Sequence, residues 1–161
     1  MLFRSVSSLI ARLKELTVGA STGTMNAEGR AATAQEVGQI REQLVGLANA
    51  QHLGQPLFAG FGAGNAVAKT GAPAAWSFTG NASEKIMRSV SDSDNVQVNV
   101  TAVEVFQAGS SDAFTMLDQL VADLGSGNTT GLRNAVDTMD SFRSSVSTAR
   151  ARIGEIGRAH V

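Results

Sequence analysis

Residues 132–156 read LRNAVDTMDSFRSSVSTARARIGEI, and this stretch decides the fold because its apolar residues recur at steps of three and four. That spacing places them on one face of an α-helix. The stripe runs on to the end of the chain and consists of Leu132, Val136, Met139, Phe142, Val146, Ala149, Ile153, Ile156 and His160. A helix over about residues 129–157 would be on the order of 40 Å long. Such a helix is too long for a compact protein of this size, so the sequence predicts a rod.

Three further helices are predicted by the same kind of spacing. The first ends near Thr22, where Gly23 is a natural stop, and its stripe consists of Val6, Leu9, Leu13, Leu16 and Ala20. The second is capped by Thr24 or Asn26, ends near Gln51, and carries Ala34, Val37, Ile40, Leu44 and Leu47. The third is capped by Ser111 or Asp112, ends at Gly125, and carries Phe114, Leu117, Val121 and Leu124.

The middle of the chain has a different texture. Residues 55–80, QPLFAGFGAGNAVAKTGAPAAWSFTG, are rich in Gly and Ala and hold both prolines, which predicts short strands joined by loops, with apolar islands at 57–59 and at Trp76 and Phe78. Residues 85–90 and 95–100 alternate between apolar and polar side chains, as strands do. We also expect a returning strand or a strand end at Val103, Val105 and Phe106.

The predicted architecture is mainly α with a small β region. Stripes at both ends of the chain imply that the first and last helices pair in one elongated antiparallel bundle, with short strands and hairpins between them. At 161 residues the chain is expected to form a single rod-like domain, in which 1–53 is a helical pair, 54–108 a β-rich insert and 109–161 the C-terminal helices. Because both stripes run to the chain ends without strong stop signals, we expect the rod to continue beyond the given sequence.

Composition excludes several functions. The net charge is -1, aromatic residues make up 5% and tyrosine is absent, so neither a basic surface nor a stacking platform for nucleic acid is expected. No cysteine is available for disulfides, thiolate metal sites or catalysis. Arg12, Lys14 and Glu15 interrupt the N-terminal apolar run before it becomes a Sec signal, and no stretch is long enough to span a membrane.

Catalytic and ligand-binding patterns are scarce. GFGAGN at 60–65 is followed by neither a helix start nor Gly-Lys-Ser/Thr, so it is interpreted as a loop and not as a phosphate cradle. Asp92 and Asp94 lack the later ligands of a calcium loop, and His52 and His160 are far apart in sequence. The serines have no nucleophile-elbow setting. We therefore predict no enzyme activity, no cofactor and no metal.

The N-terminal segment carries a resemblance to a known family. Residues 9–60, LIARLKELTVGASTGTMNAEGRAATAQEVGQIREQLVGLANAQHLGQPLFAG, resemble the N-terminal core of bacterial flagellins and of the flagellar hook-associated protein 3 family. WSFTG at 76–80, EKIMRSV at 84–90 and VQVNVTAVEVF at 96–106 are more similar to this hook-filament junction family than to flagellin. The last third is similar in helix pattern and in the ending ARIGEIGRA. One departure is that Thr101 and Ala102 stand where the family commonly has a glycine turn.

The resemblance implies a core fragment, lacking the terminal helices, of a protein exported unfolded by the flagellar type III system to the extracellular flagellum. There such a protein forms a ring between hook-associated protein 1 and the flagellin filament, so the implied partners are its own copies, hook-associated protein 1, flagellin and an export chaperone. Without the terminal helices we expect no polymerisation. Two alternatives stay open: the core of a short flagellin, and a helical-bundle module that binds another protein.

Six charged residues are candidate partner contacts on the helix faces, against the plainer interpretation as a solvated surface: Arg12, Glu15, Arg41, Glu42, Arg150 and Arg152. Arg12 and Glu15 also fall at positions that resemble those used by flagellins recognised by a vertebrate innate receptor. Gly19 replaces a polar residue usual in flagellins there, so we do not expect that recognition.

Overall fold

Four long helices form an antiparallel bundle in the computed structural model, which describes residues 2–72, 74–79, 82–89 and 95–158. In chain order the helices are α1 (Leu2–Ser21), α2 (Ala27–Ala48), the short α3 (Ala102–Phe106), α4 (Ala113–Ser126) and α5 (Thr129–Arg158). Around the bundle α1 packs on α2, α2 on α4, α4 on α5, and α5 again on α1. The predicted pairing of the first and last helices is therefore confirmed.

The strands pair only locally within the described ranges. They form four two-stranded antiparallel hairpins: β1 (Gln51–His52) with β2 (Gln55–Pro56), β3 (Val67–Thr70) with β4 (Ala75–Phe78), β5 (Met87–Ser89) with β6 (Asn95–Gln97), and β7 (Gln107–Ala108) with β8 (Ser111–Asp112). Three of these hairpins connect α2 to α3, and the fourth connects α3 to α4. The fold class predicted from the sequence, mainly α with a small β region, is confirmed.

Local capping chemistry sets where the helices begin. The Asn26 side chain accepts a hydrogen bond from the Gly29 N–H at 2.8 Å, so Asn26 and not Thr24 caps α2. Asp112 accepts from the N–H groups of Phe114 and Thr115 and caps α4. These contacts settle the two pairs of capping residues that the sequence left open.

The connection between α4 and α5 requires glycine twice. Gly127 ends α4 with φ of 73°, a left-handed conformation that glycine adopts without strain. The buried Asp123 carboxylate accepts hydrogen bonds from Gln119 and Asn128, both at 3.0 Å. A Cβ atom at Gly131 would lie 2.2 Å from Asp123 Oδ2, so only glycine lets α5 start this close to α4.

The strand predicted at Val103, Val105 and Phe106 is wrong, because these residues form α3. Thr101 Oγ1 accepts a hydrogen bond from the Glu104 N–H at 3.2 Å, and Glu104 Oε2 accepts one from the Thr101 N–H at 3.0 Å. This reciprocal capping box starts a helix at the position where the sequence analysis expected a strand.

Several ends of helices and strands also differ from the prediction. The second helix ends at Ala48 and not near Gln51, since Gln51 and His52 pair with Gln55 and Pro56 in a tight hairpin. The apolar island at 57–59 forms bends and a turn, and the strand expected over 95–100 ends at Gln97. The third helix ends at Ser126, one residue past the predicted stop.

A series of aromatic contacts joins the β region to the helix bundle. Phe58 packs edge-on against Phe3 of α1 and Phe106 of α3, with ring centroids 6.1 and 5.9 Å apart. Phe106 in turn packs on Phe114 of α4, which also contacts the rings of Trp76 and Phe78 on β4. Phe114 is fully buried at the centre of these contacts.

The molecule exposes more surface than a compact protein of its mass. Its accessible area is 9035 Å², whereas a compact monomer of 16.6 kDa would expose about 7,600 Å². The 30 residues of α5 span about 45 Å. Both observations indicate an elongated particle.

Replacing Phe114 with alanine should strongly destabilise the protein, because it removes the ring contacts that join α4 to α3 and to β4. We expect Phe114→Ala to lower the free energy of unfolding by about 3–5 kcal/mol in a urea titration followed by circular dichroism. Phe61, which is 71% exposed, is the matched control, and Phe61→Ala should change stability by less than about 0.5 kcal/mol. Equal effects of the two variants would contradict the central role of Phe114.

Small-angle X-ray scattering of a dilute solution should show a single elongated body. A compact chain of 161 residues would have a radius of gyration of about 15 Å. We expect a larger value and a distance distribution with a long tail. A value at or below the compact one would contradict the prediction of one rod-like domain.

Candidate interaction surfaces

Asp118 on α4 connects the bundle to the β3–β4 hairpin. Its carboxylate accepts hydrogen bonds from Lys69 Nζ at 2.8 Å and Trp76 Nε1 at 2.9 Å, and it pairs with the guanidinium of Arg41 on α2. The Lys69 ammonium also lies 5.2 Å from the centroid of the Trp76 ring, and Arg41 lies 6.0 Å from it. Two cations, one carboxylate and one indole therefore form a compact cluster.

The charge environment of this cluster favours the ionised carboxylate. Partial burial by itself acts to raise the pKa of Asp118, but the hydrogen bonds from Lys69, Arg41 and Trp76 together outweigh it, so the pKa is lowered. Burial likewise acts against the charge of Arg41, whose pKa is nevertheless raised by its bonds to Glu42 and Asp118. The cluster is thus a network of ion pairs that holds a hairpin in place.

Glu104 forms a second cluster at the same end of the molecule. Beyond its capping role in α3, its carboxylate accepts a hydrogen bond from Gln97 Nε2 at 3.1 Å and pairs with Arg152 of α5. Partial burial acts to raise the pKa of Glu104, but the bonds from Thr101, Gln97 and Arg152 lower it overall. Glu104 therefore ties β6, α3 and α5 together.

Exposed ion pairs connect the helices along the bundle. Arg12 on α1 contacts Glu36 on α2 at 2.7 Å and Glu15 at 2.9 Å, and the bond to Glu36 is the main reason why the pKa of Arg12 is raised. Lys14 on α1 contacts Asp140 on α5 at 2.6 Å. Exposed pairs of this kind contribute little to stability, on the order of 0–1 kcal/mol each.

The six residues predicted as partner contacts lie in four separate places. Arg12 and Glu15 sit midway along α1, Arg41 and Glu42 belong to the Asp118 cluster, and Arg152 belongs to the Glu104 cluster. Arg150 is exposed on α5, and its side chain makes no hydrogen bond or ion pair within the ranges that the structure describes. Contact of these residues with another subunit stays a prediction.

The sequence patterns that were judged not to be binding sites lie on the surface or outside the described residues. Residues 60–66 form bends and turns that enter β3, and no helix follows them as a phosphate cradle requires. His52 is exposed on β1. Asp92, Asp94 and His160 lie outside the described residues.

Within residues 2–72, 74–79, 82–89 and 95–158, no group of three or more His, Asp or Glu side chains is placed to hold a metal ion. Over the same ranges, no helix combines the length and apolar character needed to cross a bilayer.

Sequence reasoning missed how the β region is anchored, although it named Arg41 as a candidate partner contact and Trp76 as part of an apolar island. Asp118, Trp76 and Arg41 are separated by tens of residues, and no local pattern connects them. It also missed Leu53 and Phe61, which are 90% and 71% exposed although they are large and apolar. The exposure of Leu53 and Phe61 could have been suspected from the sequence, because residues 43–68 include no charged residue although 17% of the chain is charged.

The fold defines an antiparallel four-helix bundle with a β region inserted between its second and third long helices, a class of elongated structural domain. Several solved structures share this fold. The chain superposes over 99% of its length on a protein of Vibrio parahaemolyticus assigned as a flagellar hook-associated protein, with a TM-score of 0.82, 21% identity and 71% of that chain covered.

Two other solved structures have the same fold. FlgL of Xanthomonas campestris matches 99% of the chain with a TM-score of 0.79 at 16% identity, and 86% of that protein is covered. Flagellar hook associated protein-3 of Legionella pneumophila matches 99% with a TM-score of 0.81 at 14% identity, and 84% of it is covered. No protein-family model matches the sequence, and no curated protein matches it. The shared property is therefore the fold.

Neutralising Asp118 should lower the free energy of unfolding by an amount that depends on pH. Because folding lowers the pKa of Asp118, its stabilisation is complete above the unfolded value of about 3.9 and is lost as the pH falls through the lower folded value. We expect Asp118→Asn to cost on the order of 1 kcal/mol at neutral pH and progressively less below about pH 4.

The matched control is Asp137→Asn, which removes the same charge from an exposed position on α5. Urea titrations of the three proteins between neutral and acid pH measure the difference directly. A stability gap between Asp118→Asn and the unaltered protein that does not narrow in acid would refute the role of the ionised carboxylate.

Proposed function

We propose that this chain is a structural subunit of the bacterial flagellum, acting at the junction between the hook and the flagellin filament. The observation that carries the proposal is the likeness of fold over 99% of the chain to proteins described as flagellar hook-associated protein-3 and FlgL. The motifs at 9–60, 76–80, 84–90 and 96–106 support it independently, because they resemble the same family.

The mechanism proposed is assembly and not turnover. A bundle of long helices stabilised by an apolar seam is a rigid element that can stack beside copies of itself. Its partners would be its own copies, hook-associated protein 1 and flagellin, with an export chaperone before assembly. We further propose an extracellular location reached through the flagellar type III system.

Among the six charged residues, Arg150 is the most suitable partner contact, because it is exposed and engaged by no other described side chain. Arg41 and Arg152 already hold the β region through Asp118 and Glu104. Their replacement would therefore affect folding as well as any contact between subunits.

A flagellin core is the second candidate, because residues 9–60 resemble both families. Two features favour the junction protein. The insert between α2 and α4 is short, whereas flagellins ordinarily carry long outer domains there. The motifs downstream of residue 76 also resemble the junction family more closely.

Deletion of the encoding gene in the source bacterium should separate these candidates. We expect hooks without filaments, flagellin released into the medium and loss of swimming, with recovery when the unaltered gene is supplied. Immunogold labelling with an antibody against the chain should mark one short band between hook and filament. Label along the whole filament would assign the chain as a flagellin, and normal motility without label would overturn a flagellar role.

A further inference from the structure

One segment of the chain is uncharged and exposes large apolar side chains. No Asp, Glu, Lys or Arg occurs from residue 43 to 68. The same segment holds Leu53, Leu57 and Phe61, which are 90%, 44% and 71% exposed and are called the apolar tip below. Depletion of charge together with an exposed aromatic residue is typical of the core of a protein interface.

Phe61 is exceptional among the aromatic residues. The chain has seven phenylalanines and one tryptophan. Phe58, Phe106, Phe114 and Phe142 are at most 3% exposed, and Phe3, Trp76 and Phe78 are partly buried against the core. Phe61 is 71% exposed, so its ring lacks the cover that all the others receive within the chain.

Leu53 occupies an unfavourable conformation at the turn of the β1–β2 hairpin. Its φ is +51° and that of Gly54 is +77°, as a two-residue hairpin turn requires. Asn or Gly is usual at the first of these positions, and a bulky side chain is disfavoured there. The leucine side chain is 90% exposed, so packing against the described part of the chain does not compensate for this conformation.

An apolar groove lies beside the base of this segment, between α1 and α2. Its volume is about 560 Å³. Leu9 and Leu47 form its half-buried apolar floor, and its exposed rim consists of Arg4, Ser5, Ser8, Gln43 and Gly46. A Cβ atom at Gly46 would have no neighbour within 4 Å, so the groove is open there. The exposure of Leu53 and Phe61 means that the tip of the same copy does not fill it.

We propose that the apolar tip of one copy binds in the α1–α2 groove of a second copy, an inference that rests on the proposed function. The tip offers on the order of 400 Å² of apolar surface, since one aromatic ring alone buries about 150–250 Å². With a similar area from the groove, the contact buries less than the roughly 1,200 Å² of a stable interface. Two isolated copies therefore associate weakly, and several adjacent contacts are needed for assembly.

The arrangement also accounts for growth beyond a pair. Tip and groove are different surfaces, so one copy can donate its tip to one neighbour and accept the tip of another. Contacts between unlike surfaces repeat from copy to copy and close into a ring when the rotation allows it. This geometry suits a subunit of a ring.

Disulfide cross-linking tests the pairing, and the absence of native cysteine makes the test specific. One variant, Gln55→Cys, places a thiol beside the tip without removing its apolar side chains. A second, Ser8→Cys, places one at the groove and carries a size tag. Mixed under mild oxidation, the two should form a tagged heterodimer at least about tenfold faster than Gln55→Cys mixed with tagged Ser147→Cys on α5, because binding raises the effective thiol concentration.

Two further substitutions separate the contact from folding. Adding Phe61→Ser to the tip variant, or Gly46→Gln to the groove variant, should return the cross-linking rate to that of the Ser147→Cys control. Neither should lower the thermal unfolding temperature, because Phe61 is exposed and Gly46 lies in open space on a helix. Equal rates in both mixtures, or dominant tip-to-tip dimers, would overturn the proposal.

Adding purified flagellin to the reaction provides another decisive outcome. Preferential cross-linking of Gln55→Cys to single-cysteine flagellin would assign the tip to that partner and overturn pairing between copies. The outcome is independent of the labelling experiment above. If the antibody labels the junction but cross-linking shows no preference, only the proposed tip–groove contact is refuted. If cross-linking is preferential but no flagellar structure is labelled, the proposed function is refuted and the chain is a self-associating bundle.

Discussion

Packing between aromatic rings at one end of the bundle is the interaction on which the rest of the structure depends. The β region consists of two-stranded hairpins, which are marginal in water when they stand alone. Phe58 and Phe106 link α1 to α3, and Phe114 links α3 to the β3–β4 hairpin. Because each ring contacts the next, burial at one position supports all the others, and the insert folds as part of the bundle.

Burial of the aromatic rings stabilises the packing of the β region on the bundle but fixes its orientation only loosely. Ion pairs and hydrogen bonds fix that orientation. Asp118 accepts hydrogen bonds from α2, β3 and β4, and Glu104 connects β6 and α3 to α5. Each carboxylate is partly buried, and its donors compensate for the lost solvent. Residues that looked like a solvated helix face, Arg41 and Arg152, therefore serve the fold itself.

This division of roles bears on assembly. Several charged side chains of the bundle pair with one another along its length, and exposed pairs give little energy for association. The uncharged segment from 43 to 68 is different, because it leaves Leu53 and Phe61 largely exposed. In the proposed assembly, the helices carry the rigid framework and the α1–α2 groove, and the inserted segment carries the apolar tip.

The sequence by itself determined the features that depend on neighbouring residues. The stripes of α1 and α5 predicted two long helices and their pairing, because helix periodicity is local and a buried stripe needs a partner. The alternation at Val103 and Val105 wrongly predicted a strand, because the capping box of Thr101 and Glu104 starts a helix there. Only the tertiary structure decided that Phe58 is buried while Phe61, three residues away in the same glycine-rich segment, is exposed. The physical reason is that burial depends on which distant rings, here Phe3 and Phe106, arrive beside a residue, and no local pattern encodes that arrival.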